Sequence, residues 1–502
     1  MRLTPGSNAG GSGLSGIGLP FFLQASVVRP AQPQPTRIAD SLITIRIVIT
    51  GKPAKVRFRI DTRSQTSSEK FGTEIMANHI FDEVHLSRRT ATRRRFLQTV
   101  SAGAIASCGL GFRDLMAVEA ENLRKRGKAM ILLWMQGGPS QFETFDPKPG
   151  IENGGPTEAI QTSASGIQIA DNFPNVARIM NDVALIRSMT NKEGSHPRAT
   201  YQMHTGYVPS GSVKHPSLAS GIVQQIGNIE SELPSFVSIG NTQGAGFLGM
   251  DYEPFVVNNP GQIPSNVAIP VQQQRFDRRM GLLGKLESEY AAAGADQLVA
   301  THQSLYQKSS RLVLSPSVST FDTSEEPQKV RDSYGDSNFG RGCLLARRLV
   351  EQGVTFVEVR SSTWDTHQDN FERSASNAAE VDPATAALIT DLKDRGMLDD
   401  TLVVWMGEFG RTPKINARTG RDHYPRVFSM AMAGGGIVGG QVYGSSTADG
   451  SAINENPVTV QDLFQTVCKS MGVNANHENL SPLGRPMKIV DGGSVIPGLL
   501  RT

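Results

Sequence analysis

The residues of this 502-residue chain best suited to chemistry are histidines set among carboxylates and arginines in four short polar clusters. The first runs from Gln136 through Gly137 and Gly138 to Glu143 and Asp146. The second holds Ser195, His196 and Arg198 and continues to His204, the third joins Asp365 to His367, and the fourth sets Glu408, Phe409 and Arg411 ahead of Asp422 and His423. Imidazole with carboxylate is the ligand set of zinc and, with more oxygen, of manganese or magnesium. Taken singly, each histidine reads as a hydrogen-bonded loop residue. Together, Asp365, His367, Glu408, Asp422 and His423 point to a divalent metal, with one ion enough to satisfy them. His204 reads instead as packing or capping a helix through Met203. Arg198 and Arg411 carry paired N–H donors that could clamp an anionic group, or each could be half of an ion pair. The glycine pair allows a tight turn and close backbone approach to a ligand. No Gly-Lys-Ser/Thr follows it and no Gly-x-Gly-x-x-Gly contains it, which excludes the usual nucleotide motifs.

Short apolar, β-rich runs precede these clusters. Strands are expected over residues 130–135, 183–186, 236–239, 354–359, 402–406 and 428–432, with crossover helices over 339–351 and 384–395. Such alternation predicts an α/β fold, a mostly parallel sheet with helices on both faces. In sheets of this kind ligands sit beyond the carboxyl ends of the strands, which is where the clusters fall. Residues 275–311 read as one or two longer helices, and 252–271 as a long surface loop, so an inserted loop and helical segment is expected near 252–311. Residues 458–471 read as an amphipathic helix closing the sheet, with Leu463, Phe464 and Val467 turned inward.

Before the first strand, Thr92, Arg93, Arg94, Arg95, Phe96, Leu97 and Gln98 precede the small and apolar run 99–110, which matches a bacterial twin-arginine export signal. That route implies a twin-arginine translocase as partner, folding before export, and a periplasmic or extracellular destination. The signal region is assigned to 76–120, with Met76 as the expected start and 1–75 as a non-native or disordered extension of Gly/Ser-rich and Pro-rich composition. Cleavage is expected after Ala117 or Ala120. The segment 105–108 also fits a lipobox that would acylate Cys108 and anchor the protein.

The chain carries 50 basic and 47 acidic residues, but 1–120 holds 16 and 8 of these, so the remaining domain, 121–502, lies near −5. An acidic balance gives no reason to expect a nucleic-acid partner. No later apolar run approaches the roughly 20 residues of a membrane span. Only Cys343 and Cys468 remain in this domain, enough for at most one disulfide.

On the residues 132–149, 203–206, 364–367, 401–413 and 422–425, the chain resembles the secreted proteins of domain of unknown function 1501, distant members of the alkaline phosphatase and sulfatase superfamily. The resemblance implies an alkaline phosphatase-like α/β core. It also implies that Asp365, His367 and His423 form one metal-ligand set. The Asp-to-His spacing is shorter than the phosphatase pattern, and Glu408 and Phe409 replace the Asp-His pair of the next strand. Gln136 stands where a first-strand carboxylate is expected, with Glu143 and Asp146 further along as substitutes. His196 falls where sulfatases make formylglycine, so that modification is not expected. Ser195 or His196 would then act as nucleophile, or His196 as general acid.

Two readings follow. One is an exported metal-dependent hydrolase of phosphate or sulfate esters, with an anionic small molecule or polysaccharide ester as substrate and Arg198 or Arg411 offsetting developing charge. The other is an inactive exported binding or scaffold protein on the same fold.

Overall fold

The computed structural model of the chain describes residues 127–267 and 271–501, together with the backbone of residues 44–46 and 59–61. The chain divides into two compact units, Met1–Val118 and Glu119–Thr502. In the first, Thr44–Arg46 pairs antiparallel with Arg59–Asp61. The twin-arginine segment, Met76, Cys108 and the cleavage positions Ala117 and Ala120 lie outside the described residues.

The second unit is built on an eight-stranded sheet. In chain order its strands are β1 (Ala129–Met135), β2 (Val183–Met189), β3 (Phe236–Ile239), β4 (Phe255–Val257), β5 (Phe356–Ser361), β6 (Thr401–Met406), β7 (Phe428–Ala433) and β8 (Gln441–Tyr443). Their spatial order is β8-β2-β7-β6-β1-β5-β3-β4. The β1–β5, β1–β6, β3–β5, β3–β4 and β2–β8 pairs are parallel, whereas β7 runs antiparallel to both β6 and β2. The sheet is therefore mostly parallel with one reversed strand.

All seven residues of β1 are buried, because both faces of this central strand are covered. Ile131, Leu133 and Met135 enter one core with Val357, Val403 and Trp405. The alternate residues Met130, Leu132 and Trp134 enter the other with Leu402, Val404 and Met432. Two helices cover the first face, α5 (Asn338–Glu351) through Leu345 and Leu349, and α6 (Asn370–Asp394) through Val381 and Leu388. Over the second lie α1 (His196–Thr205), α2 (Leu218–Ile226) and α7 (Val460–Met471). The last is fixed at its start by a reciprocal Thr459–Asp462 capping box and at its end by Gly472 at φ 71°. As expected, Leu463, Phe464 and Val467 are its buried face.

Several boundaries differ from expectation for identifiable reasons. Helix α6 extends over 25 residues through Pro383, further than the apolar spacing of 384–395 shows. The inserted region is two helices, α3 (Gln273–Tyr290) and α4 (Asp296–Leu314), broken at Gly294, whose φ is 97°. Ahead of them, the expected surface loop contributes β4 to the sheet edge through parallel pairing with β3. Cys343 and Cys468 are both free and buried, one in each core, so the single disulfide allowed by sequence does not form. Burial pushes both thiols up, Cys468 to about 12, which leaves them unreactive. Among the described residues no helix is long and apolar enough to cross a membrane.

Candidate metal centre

The carboxyl edge of the sheet collects the polar clusters. After β1 comes Gln136, after β2 Asn191, after β5 Asp365 and after β6 Glu408. Because β7 runs the other way, the residues entering it, Asp422 and His423, arrive at the same edge. Arg411 and His423 are register partners in a two-residue antiparallel bridge that closes the intervening loop. His196 reaches this edge as the first residue of α1, with Pro197 behind it in the first turn, where a missing N–H costs nothing.

Three histidines turn Nε2 toward one carboxylate oxygen. Asp365 Oδ1 lies 3.3 Å from His196 Nε2, 3.3 Å from His367 Nε2 and 3.4 Å from His423 Nε2. The His367 and His423 Nε2 atoms are 3.0 Å apart. Ligands bonded tetrahedrally at about 2.0–2.1 Å from a common ion lie roughly 3.3–3.4 Å from one another, so the carboxylate-to-imidazole separations have the length of coordination edges. The opposite nitrogens are all occupied: His196 Nδ1 by Glu408 Oε1 at 2.7 Å, His367 Nδ1 by Asp422 Oδ1 at 2.9 Å, and His423 Nδ1 by Gly194 O at 2.8 Å. A carboxylate or carbonyl only accepts, so this network assigns the proton to Nδ1 and leaves the Nε2 lone pair facing inward. His196 Nε2 is buried and lacks a hydrogen-bond partner. One ligand atom each from His196, Asp365 and His423 falls within 4.8 Å of the others. These three donors fit a divalent ion, and His367 Nε2 stands beside them against His423.

The electrostatics agree with that orientation. Partial burial pushes Asp365 up, but Arg411, bonded to it at 2.6 Å, outweighs this and brings the carboxyl down to about 2. The Glu408 hydrogen bond raises His196 against its burial. Burial lowers His423, and the hydrogen bond from His367 lowers Asp422. Glu408 is fully buried, with Oε1 also taking the Gly137 N–H at 2.9 Å, while Asn191 Nδ2 holds the Glu408 carbonyl at 2.8 Å.

Arg411 is fully buried and ties the loops together. It donates to the carbonyls of Gly137, Gly138, Trp364 and Arg421 as well as to Asp365. Gly137, at φ 114°, is required by close approach: a Cβ there would sit 2.4 Å from Asp365 N. The glycine pair thus admits the Asp365 loop. Phe409 packs its ring 5.0 Å from that of His196 and 4.5 Å from that of His423. Backbone strain gathers here too. Thr363 (φ 97°), Asp369 (φ 50°) and Thr419 (φ 55°) are three of the four described non-glycine residues at positive φ, and the first two flank Asp365 and His367. Asn377 on α6 holds Thr363 by reciprocal bonds, accepting from its hydroxyl at 2.7 Å and donating to its carbonyl at 3.2 Å.

The structure brings together His196, Asp365, His367, Glu408, Arg411, Asp422 and His423. Others stand apart. Arg198 is bound to Glu193 by two bonds of 2.8 and 2.7 Å at the surface. Ser195 is the exposed residue ahead of α1, and its side chain makes no capping bond. Gln136 accepts from Trp134 Nε1 at 3.1 Å, Glu143 pairs with buried Arg421 at 2.9 Å, and Asp146 pairs with Lys148 at 3.0 Å. His204 is buried, with Nδ1 on Thr200 O at 2.8 Å and Nε2 3.4 Å from Glu358. Sequence reasoning missed Asn191 and the Gly194 carbonyl as supports. The signal was the Asx turn in which Asn191 Oδ1 accepts the Lys192 and Glu193 N–H groups.

Comparison with known proteins shows the family to which the chain belongs. No curated protein matches the chain in sequence. Among solved structures it is similar to a sulfatase, PsFucS1, from Pseudoalteromonas sp., at 16% identity and TM-score 0.33 over 76% of this chain and 72% of that one. It is similar to the phosphonate monoester hydrolase of Agrobacterium radiobacter at 12% identity and TM-score 0.35, over 74% and 77% of the two chains. A protein in the alkaline phosphatase superfamily from Vibrio parahaemolyticus is similar at 14% identity and TM-score 0.31, over 69% and 67%. The family described as "Protein of unknown function (DUF1501)" matches residues 127–500, a stretch that contains the whole sheet and every residue of the histidine cluster, and the chain belongs to that family.

Proposed function

We propose that the protein is an exported hydrolase of phosphate or sulfate esters that works with a divalent metal held by His196, Asp365, His367 and His423. The observation that carries this reading is the polarity of the three imidazoles, each with Nδ1 tied outward and Nε2 turned toward Asp365 Oδ1. A bound ion would polarise the ester and offset charge developing on it. The chain's own groups would orient the site. Glu408 and Asp422 hold the Nδ1 protons of His196 and His367, and Arg411 fixes the Asp365 carboxylate, so none of the three is itself assigned as a ligand. Helix α1 directs its positive end toward the same edge, which favours an anionic substrate. In this reading Glu408 takes Nδ1 of His196 and the ion takes Nε2, so of the two candidate nucleophiles the neighbouring Ser195, whose hydroxyl makes no capping bond, is the one left to attack. The twin-arginine segment supports delivery of the folded chain to the periplasm or beyond through the translocase, with lipidation at Cys108 as the alternative to cleavage.

The test is metal content by elemental mass spectrometry, followed by assay on aryl phosphate and aryl sulfate esters. Stoichiometric metal with turnover that Ser195→Ala abolishes and metal binding that His423→Ala abolishes is the expected result. A folded protein that binds no metal would overturn the reading.

One observation favours the inactive binding or scaffold protein: Arg411 is bonded throughout to carbonyls and Asp365, and Arg198 to Glu193. That reading is distinguished by metal binding without turnover on any ester.

A further inference from the structure

Asp365, the carboxylate of the proposed metal site, sits two residues after Thr363, whose φ is 97°. A β-branched side chain strongly disfavours that conformation. Such a residue persists only where its surroundings impose the geometry. The imposing element is helix α6, which brackets Asp365 on both sides. Asn377 accepts from the Thr363 hydroxyl at 2.7 Å and donates through Nδ2 to the Thr363 carbonyl at 3.2 Å. Two turns earlier on the helix, buried Asn370 accepts from the Thr366 hydroxyl at 2.5 Å. Seven residues at about 100° each return to within roughly 20° of the starting direction, so both asparagines stand on one face of α6.

The two clamps do different things. Asn370 and Thr366 are both buried, and their bond belongs to the packing beneath the loop. Thr363 is exposed and Asn377 half-buried, so their pairing adds little to the core. What it holds is direction. A return of Thr363 to negative φ turns the chain that follows, and Asp365 Oδ1 has three imidazole nitrogens within 3.4 Å to keep in place.

We infer that Asn377 is a positioning residue: it keeps Thr363 in its strained conformation and so aims the Asp365 carboxylate at the three histidines. Its bearing on metal binding rests on the reading of Asp365 as a ligand. Zinc affinity, by competition with a chelating dye, and hydrogen exchange of the segment 361–368 test it together. Asn377→Ala is expected to weaken zinc binding by about tenfold, the effect of losing two hydrogen bonds, and to speed exchange of the segment. Thr363→Val and Thr363→Gly both lose the hydroxyl, but only valine must still be forced to a positive φ. Thr363→Val should therefore behave as Asn377→Ala does, whereas Thr363→Gly should stay within about threefold of wild type, and adding Asn377→Ala to it should cost little more. Unchanged zinc affinity in Asn377→Ala, equal losses in the valine and glycine variants, or a lowered melting temperature in Asn377→Ala with zinc affinity intact would each overturn the inference. A wild-type chain that binds no zinc overturns the metal reading itself, and exchange alone then decides: faster exchange of 361–368 in Asn377→Ala and Thr363→Val sustains the positioning role, and unchanged exchange ends it.

Discussion

Glu408 Oε1 lies 2.7 Å from His196 Nδ1 and, through the same oxygen, accepts the Gly137 N–H at 2.9 Å. One buried carboxylate thus sets the ring of a histidine that comes from a different strand end, 212 residues away in sequence. Removing it should loosen His196 without dismantling the core. Glu408→Gln keeps the volume and one acceptor. It is expected to weaken metal binding by about 10- to 100-fold, as outer-shell replacements commonly do. Competition with a chelating dye measures this, and an affinity equal to wild type would remove Glu408 from the site.

The four inward-facing donors should not be equivalent. His367 and His423 each contribute one imidazole, so replacing either with alanine is expected to lower metal occupancy while the sheet stays folded. Asp365→Asn has a second effect, because it leaves the fully buried Arg411 without its carboxylate. Arg411 keeps its carbonyl partners and Asp365 is 45% exposed, so losing this charge-assisted bond should cost about 1–3 kcal/mol of stability as well as metal. Urea denaturation alongside elemental analysis separates the two classes. Equal stability of the Asp365 and His423 variants would contradict the role given to Arg411.

Gly137→Ala and Gly150→Ala test close approach against backbone strain alone. Both positions have positive φ, but a Cβ at Gly150 meets nothing within 4 Å, whereas at Gly137 it sits 2.4 Å from Asp365 N. The left-handed backbone costs about 1–2 kcal/mol for an L-residue, which is the whole expected effect at Gly150. At Gly137 the loss should be larger and should carry metal affinity with it, since the Asp365 loop must move. Denaturation midpoints and metal titration of the two variants make the comparison, and matched losses would refute it.

His204 and Glu358 give a pH dependence. Burial alone would lower His204, but the neighbouring Glu358 outweighs it, and the folded histidine titrates above its ordinary range. Thr200 O lies on Nδ1, the Trp134 ring 4.3 Å away and Glu358 on Nε2, the Glu408 charge adds to the same upward push, and the second Glu358 oxygen takes the Thr242 hydroxyl at 2.6 Å. With a raised folded value, the stabilisation is fully present below the unfolded pKa of about 6.5 and is lost as pH rises through the folded pKa. Glu358→Gln should therefore cost more stability near pH 6 than at alkaline pH. Chemical denaturation of both proteins across that range checks the sign, and a pH-independent difference would show that His204 stays neutral.

The central strands were legible in the sequence because a strand buried on both faces must be apolar throughout, as in the seven residues of β1. The helix α7 was legible because its buried residues recur at helical spacing between a capping box and a glycine. Strand β4 was not, since three edge residues carry too little pattern, and neither was the first half of α6, which Pro383 disguised. The residue types of the site were legible as well: His196, Asp365, His367, Glu408, Arg411, Asp422 and His423 all stood out at strand ends.

What each of them does was decided by tertiary structure alone. Glu408 and Asp422 are as suitable as Asp365 for holding a metal until the fold turns them onto the outer nitrogens of histidines. Arg411 is a free cation in the sequence and an enclosed one in the structure, where carbonyls and one carboxylate take its donors. Sequence sets the functional groups, their charge and the local conformations they favour. Which nitrogen faces which oxygen depends on contacts between segments as far apart as residues 196 and 408, on the reversal of β7, and on a glycine that lets two loops touch, and no local pattern encodes such contacts.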